Sequence, residues 1–326
     1  MKSGQGEGAV LVTGGNGFVG CALVSHLLAT QSRPVIAAVR REAASVPVGA
    51  EKRVLADLQA PTDVAAQLGD VDIVVHTAAR VHVMNDQHAD PLSQFRLINT
   101  HGTLALAEQA ARAGVKRFVF ISSIKVNGES SKPGRPLRAD DPVRPEDPYA
   151  VSKREAEEGL ERLAQATGME VVIIRPVLVY GPGVGANMAS MMRWLDRGVP
   201  LPLGAVDNRR SLLSLANLVD FIRVCMTHPS APGQTFLVSD GEDVSTSELL
   251  RRMAHALGRR VMLIPVPPPW LMLAGRLTGQ AAVLQRLLGT LQVDIGKNAQ
   301  MLGWQPAVPM SVSLQATADH FREARS

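Results

Sequence analysis

Residues 9–20 read AVLVTGGNGFVG, and their order decides the fold. Ala9, Val10, Leu11 and Val12 form an apolar run of the length of a buried parallel strand. Gly14, Gly15, Gly17 and Gly20 then punctuate a tight turn, and Phe18, Val19 and the residues through Val24 open an apolar helix. Strand, glycine turn and helix in that order make a dinucleotide-binding fingerprint, Gly15-x-Gly17-x-x-Gly20. Glycine lets the main chain approach a pyrophosphate with no Cβ in the way. The phosphates then meet free N–H groups at the positive end of the helix dipole. Glycine turns alone are common; the flanking strand and helix make this one specific.

Outward from that turn, strand patterns at 9–13, 35–39, 54–56, 72–76, 117–122 and 170–175 alternate with helical patterns at 18–29, 62–68, 91–113 and 149–166. Gly114 and Gly168 stand where two of these helices should stop. The alternation predicts an α/β protein built on a doubly wound parallel Rossmann sheet, with ligands outside the carboxyl ends of the strands. Residues 1–176 form this dinucleotide-binding domain. Past Arg175-Pro176 the rhythm breaks, with a loop at Gly181-Pro-Gly-Val-Gly185 and further breaks at Pro200, Pro202 and Gly204. Residues 177–326 are expected to form mainly a smaller C-terminal α/β substrate lobe. Roughly 210–240 should return to the Rossmann domain, with a strand at 234–239.

At 326 residues the chain is long for one core, which suits two lobes. Its 46% hydrophobic and 20% charged residues are those of a folded chain rather than a disordered one. The formal charge is only +4, and the arginine pairs at 40–41, 209–210, 251–252 and 259–260 are scattered among carboxylates. A nucleic-acid binder would gather them on one face, so no nucleic-acid partner is expected. Cys21 and Cys225 lie in apolar helical contexts and read as packing residues rather than a disulfide, in keeping with a cytoplasmic location. No signal-peptide pattern precedes the first strand. The longest apolar stretch, 267–288, is interrupted by Arg276, Gln280, Gln285 and Arg286, so no membrane span is expected. It reads as a lobe helix covering a pocket, ahead of a helix lying on a membrane surface. The eight histidines show no metal-ligand spacing with the cysteines.

Tyr149 and Lys153 stand four apart in a helical segment and so share one helix face. An ammonium beside a phenol favours the phenolate and should pull the tyrosine pKa down. Such a tyrosine passes a proton to or from an alcohol oxygen while hydride moves at the adjacent carbon. Ser122-Ser123 ends the fifth strand, where one hydroxyl can hold the substrate oxygen beside Tyr149. His76 closes a buried strand and reads as a satisfied structural histidine. His82 lies on a loop facing the cleft, within reach of a sugar. The second strand ends in Arg40-Arg41, where NAD sites place a carboxylate for the ribose 2′-hydroxyl. Guanidiniums there suit a 2′-phosphate, which puts NADP(H) ahead of NAD(H); a solvated loop pair is the alternative.

Taken together, these stretches resemble the extended short-chain dehydrogenase/reductase family, and within it the nucleotide-sugar epimerases, dehydratases and reductases. The likeness runs through Thr13-Gly-Gly-Asn-Gly-Phe-Val-Gly20, Asp57-Leu58, His76-Thr-Ala-Ala79, Asn99-x-x-Gly102-Thr103, Ser122-Ser123, Tyr149-x-x-x-Lys153, Arg175-Pro176, Val179-Tyr-Gly-Pro182 and Leu302-Gly-Trp304. It implies that Ser123, Tyr149 and Lys153 are catalytic, with Lys153 also gripping the nicotinamide ribose. It implies a cofactor bed of Gly14, Asn16, Gly17, Phe18, Val19, Arg40, Asp57, Leu58, Ala78, Ala79, Asn99 and Pro176. Substrate contacts would come from Arg80, His82, Ser123, Asn187 and Arg210, with Arg210 on the diphosphate and Arg286 as a second arginine. The resemblance further implies a homodimer through the helices near 91–113 and 149–167.

Departures from the family pattern narrow the reaction. Dehydratases carry an Asp-Glu pair where this chain has Ile124-Lys125, and epimerases often carry an Asn where it has Leu178. Segments 79–84, 208–211 and 236–241 look like bacterial polysaccharide enzymes that make UDP-N-acetylquinovosamine. The expectation is therefore reduction of UDP-4-keto-6-deoxy-N-acetylglucosamine at C4. A UDP-glucose or UDP-N-acetylglucosamine 4-epimerase is the alternative. A non-catalytic NADP(H)-binding sensor and a reductase of apolar ketones are the remaining readings.

Overall fold

The computed structural model describes residues 7–55, 63–81 and 90–325. Ten strands are present among the described residues: β1 (Ala9–Thr13), β2 (Val35–Val39), β3 (Glu51–Val54), β4 (Val71–His76), β5 (Arg117–Ile121), β6 (Glu170–Pro176), β7 (Leu178–Tyr180), β8 (Arg210–Ser214), β9 (Thr235–Val238) and β10 (Asp243–Val244). Seven of them form one parallel sheet in the order β3-β2-β1-β4-β5-β6-β9. The chain winds outward from β1 in both directions, so a crevice opens between β1 and β4 at their carboxyl ends.

The central strands are apolar throughout because both faces of the sheet are covered. Val10 and Val12 of β1 join one apolar cluster, with Leu23 and Leu27 of the helix Phe18–Thr30 and Phe221 of the helix Leu215–Thr227. Leu11, between them, faces the other cluster, with Leu106 of the helix Thr103–Ala113 and Leu160 of the helix Pro148–Thr167. β5 repeats the alternation, with Val119 and Ile121 on the first face and Phe118 and Phe120 on the second.

Four expected elements differ, the first being the helix expected at 62–68, which is a short 3₁₀ helix, Ala65–Leu68, with residue 62 outside the described residues. The third strand runs over 51–54 rather than 54–56; Glu51, Lys52 and Arg53 lie on an edge strand bonded only to β2, where no apolar pattern is required. The expected helix at 91–113 is broken into Pro91–Phe95, a π-helical stretch Arg96–Gly102 and Thr103–Ala113. The apolar stretch at 267–288 is two helices, Pro268–Leu277 and Ala281–Leu288, parted at Gly279. Neither they nor any other described helix is long and apolar enough to cross a membrane.

The smaller sheet, β10-β8-β7, was not legible in the sequence. It packs with the helices Ala186–Asp196, Thr246–Ala256 and Met310–Glu323 around a third apolar cluster that includes Tyr180, Met191, Leu212 and Leu250. Cys225 is buried as expected, but Cys21 is exposed on the outer side of its helix; both thiols are free.

Candidate active site

The glycine turn after β1 is built for close approach. Gly14 has φ +64, and a Cβ placed on it would stand 3.1 Å from the Ala78 Cα. A Cβ on Gly20 would fall 2.2 Å from the Gly14 carbonyl oxygen. No side chain caps the helix Phe18–Thr30, which leaves its first N–H groups for an anion. Asn16 and Gly17 are exposed, whereas Phe18 and Val19 are half-buried against the core beneath. The Ala78 N–H donates to the Thr13 hydroxyl (3.2 Å) and the Thr77 hydroxyl to the Thr13 carbonyl (2.6 Å). The glycine turn and the half-buried loop of Ala78 and Ala79 are thereby fixed side by side, a cradle that fits a dinucleotide. Arg40 and Arg41 are exposed past the end of β2, and Pro176 is half-buried at the end of β6. Asp57, Leu58 and His82 lie outside the described residues.

His76 is fully buried between two hydroxyls, with Nδ1 2.8 Å from Thr13 Oγ1 and Nε2 3.0 Å from Thr103 Oγ1. Burial first, and the charge of Lys153 second, push its pKa down to about 3. It is a neutral structural histidine, stacked on Phe120.

Tyr149 and Lys153 lie in the first turns of the helix Pro148–Thr167, whose N-cap Asp147 accepts from the Ala150 N–H at 2.7 Å. The Ser123 hydroxyl lies beside the Tyr149 phenol, and Phe95 packs edge-on against its ring. One electrostatic expectation is overturned. Burial, then the Asp147 carboxylate, push the Tyr149 pKa up to about 12, with the Ser123 hydroxyl pulling weakly the other way. Lys153 does not lower it: its Nζ donates to the Ile121 carbonyl at 2.8 Å and lies 4.4 Å from the centre of the Phe120 ring. Burial holds Lys153 down to about 7, opposed by Glu157.

Glu157, one helical turn beyond Lys153, was missed in the sequence. It is fully buried and grips Arg175 of β6 with two bonds, Nε at 2.9 Å and Nη2 at 2.6 Å. Arg175 Nη1 donates to Asn127 Oδ1 at 2.9 Å, just past Ser123. This ion pair fixes the helix of Tyr149 and Lys153 to the loop of Ser123. The signal for it was present: an acid at i+4 from Lys153 and i+8 from Tyr149 lies on their buried face. Ile124 is buried in the core, and Lys125 is paired with Glu129 and Asp147. No acid–base pair stands where dehydratases carry theirs.

Asn99 makes three hydrogen bonds within the fold. It is buried in the π-helical stretch, where its Oδ1 accepts from the Arg80 N–H (2.8 Å) and its Nδ2 donates to the Arg80 carbonyl and the Ser152 hydroxyl. Its amide ties the π-helical stretch to the Arg80 backbone and to Ser152, beside the cradle. Arg80 itself lies over Phe95, whose ring meets Tyr149.

In the smaller lobe, Asn187 is exposed in the first turn of its helix. Arg210 opens β8, and its Nη1 donates to the carbonyls of Arg286 (2.7 Å) and Gly289 (3.1 Å). Among the described residues no carboxylate pairs with it, and burial holds its pKa below the usual arginine range. Arg286 therefore meets Arg210 through its backbone. A half-buried guanidinium balanced only by carbonyl dipoles is a seat for an anion.

Comparison with known proteins agrees with this geometry. The sequence model of the NAD dependent epimerase/dehydratase family matches residues 10–239. A UDP-glucose 4-epimerase of Vibrio cholerae is 48% identical over 319 residues, covering 98% of this chain and 97% of that protein. The structure of a Thermus thermophilus UDP-glucose 4-epimerase complexed with NAD superposes with TM-score 0.77 at 26% identity, covering 97% of this chain and 99% of that one. A Thermotoga maritima UDP-glucose 4-epimerase with UDP-glucose shares the fold, with TM-score 0.78, 22% identity and coverage of 98% and 100%.

Proposed function

Because the chain belongs to the NAD dependent epimerase/dehydratase family, whose members are NAD-dependent enzymes of the short-chain dehydrogenase/reductase class, we propose that it interconverts the C4 epimers of a UDP-hexose with a retained NAD. The observation that carries this reading is Arg210, a half-buried cation that pairs with no carboxylate among the described residues, in the lobe expected to hold substrate. A UDP diphosphate supplies the missing charge. The 48% identity to the Vibrio cholerae epimerase supports the same substrate.

The residues divide the work. Gly14, Gly17 and the first turn of the helix Phe18–Thr30 would hold the pyrophosphate, and Lys153 the nicotinamide ribose. Bound NAD supplies a hydride acceptor and donor at C4 and, when oxidised, a positive charge. Ser123 holds the C4 oxygen while Tyr149 removes its proton and later returns it. A phenol with its pKa near 12 is a poor base at neutral pH, so ionisation of Tyr149 must be coupled to cofactor charge. With Ile124 buried and Lys125 paired, the chain has nothing there to expel water. Residues 1–176 would serve the cofactor and 177–326 mainly the sugar nucleotide. A cytoplasmic homodimer through the helices Thr103–Ala113 and Pro148–Thr167 completes the reading.

The NADP(H) preference rests on Arg40 and Arg41, both exposed; the C4 ketoreductase reading rests on that pair, on Ile124-Lys125 and Leu178, and on the likeness of segments 79–84, 208–211 and 236–241. Incubation with UDP-galactose and no added cofactor separates the two: the epimerase reading requires UDP-glucose to form. Absence of interconversion, with NADPH consumed on UDP-4-keto-6-deoxy-N-acetylglucosamine, would establish the ketoreductase instead.

A further inference from the structure

The helix Pro268–Leu277 is apolar on two sides. Leu271 and Gly275 face inward, where a Cβ on Gly275 would meet Leu284 Cδ1 at 2.5 Å. Trp270, Leu273 and Leu277, spaced i, i+3 and i+7, form a second stripe that faces out, and Trp270 and Leu277 are 66% and 81% exposed. A helix that faces only water carries polar residues on its outer side. Just before it, the extended segment that bonds Leu201 through Met262 and Ile264 exposes the side chains of both. Eight of the twelve large hydrophobic side chains exposed among the described residues fall between 194 and 283, so the exposure is concentrated rather than scattered.

The charge around this face is one-sided. Residues 249–293 contain six arginines and no aspartate or glutamate. Arg260 and Arg276 are exposed and join none of the ion pairs among the described residues. We propose that this face docks on an anionic lipid bilayer, with Trp270, Leu273 and Leu277 entering the interface and Arg260 and Arg276 meeting lipid phosphates. Aromatic and aliphatic side chains beside unpaired arginines are what such a surface takes up. A second copy of the chain fits less well, because a two-fold interface would set Arg276 and its neighbours against themselves with no carboxylate between. The following helix, Ala281–Leu288, leads to the Arg286 and Gly289 carbonyls that hold Arg210, so the docking face is joined to the candidate diphosphate seat.

Flotation of the full chain with vesicles tests this, using phosphatidylcholine alone and phosphatidylcholine mixed with phosphatidylglycerol. The wild type should float with the mixed vesicles, less so with phosphatidylcholine alone, and lose binding as salt is added. Combined Arg260→Gln and Arg276→Gln should weaken binding about tenfold or more. Combined Trp270→Ser, Leu273→Ser and Leu277→Ser should abolish it. All five positions are exposed, so both variants should keep the wild-type melting temperature and turnover of soluble sugar nucleotide. No flotation of the wild type overturns the proposal, as does equal flotation of the triple variant. So does a wild-type dimer in sedimentation that the triple variant dissociates while neither floats, which would make the face a self-association surface.

Discussion

The main sheet buries Arg175 and the smaller lobe half-buries Arg210, and the two are treated in opposite ways. Arg175 is 2% exposed and its charge is answered within the fold, by two bonds to Glu157 and one to Asn127. Arg210 has two carbonyl oxygens and, among the described residues, no carboxylate. A buried cation with its own anion is architecture; one without is a claim on a charge from outside. Under the proposed function, the contrast would give catalytic alignment to the sheet and substrate capture to the lobe, so changes in the first should act on kcat and changes in the second on KM.

The largest effect should come from Tyr149→Phe. Loss of the proton-transferring hydroxyl is expected to lower kcat by about 10²–10⁴ while KM moves little, as measured by steady-state turnover of UDP-galactose. A raised KM at unchanged kcat would break the division of labour.

Glu157→Gln probes the paired arginine. Leaving Arg175 without its anion should cost about 3–5 kcal/mol in urea unfolding. Replacing both partners, as Glu157→Leu with Arg175→Met, should recover most of that loss. If the double variant were no more stable than the single one, the ion pair would not be what holds this helix to the Ser123 loop.

Tyrosine ionisation sharpens the electrostatic side of the comparison. Tyr149 and Tyr180 are the only tyrosines of the chain. Burial raises both: Tyr149 to about 12, and Tyr180, bonded at 2.8 Å to the Asp240 carboxylate, higher still. An ultraviolet difference titration of the cofactor-free protein should therefore show no phenolate at the ordinary tyrosine pKa near pH 10. The first phenolate should appear about two units higher and be absent from Tyr149→Phe. Ionisation near pH 10 in the cofactor-free wild type would show that Lys153 does lower the phenol unaided.

How much was legible follows the same divide. The seven-stranded sheet could be read because buried parallel strands are uninterrupted apolar runs and the turn at Gly14 and Gly20 has strict steric demands. Tyr149, Lys153 and Ser123 could be placed because each sits at a helix start or strand end that the pattern marks. The direction of the Tyr149 shift could not be read, because it is set first by burial of the phenol, which only the fold decides. The bonds of Asn99 to Arg80 and Ser152 could not be read either, because they start from a π-helical stretch with no sequence mark. β7, β8 and β10 are two to five residues long, too short for a period to show. Arg210 was visible as an arginine; that it lacks a carboxylate was visible only in the fold.

Substrate capture by the smaller lobe therefore stands or falls on Arg210, and calorimetric titration of UDP into the wild type and Arg210→Leu tests it most directly. Removing a half-buried cation that has no anion among the described residues should leave the melting temperature unchanged or raised, with NAD binding intact. It should weaken UDP binding by about tenfold to a hundredfold, the worth of charge-assisted hydrogen bonds to a phosphate. Equal UDP affinity in the two proteins, or a folding defect in the variant, would show that Arg210 is structural like Arg175 and that the sugar nucleotide is held elsewhere.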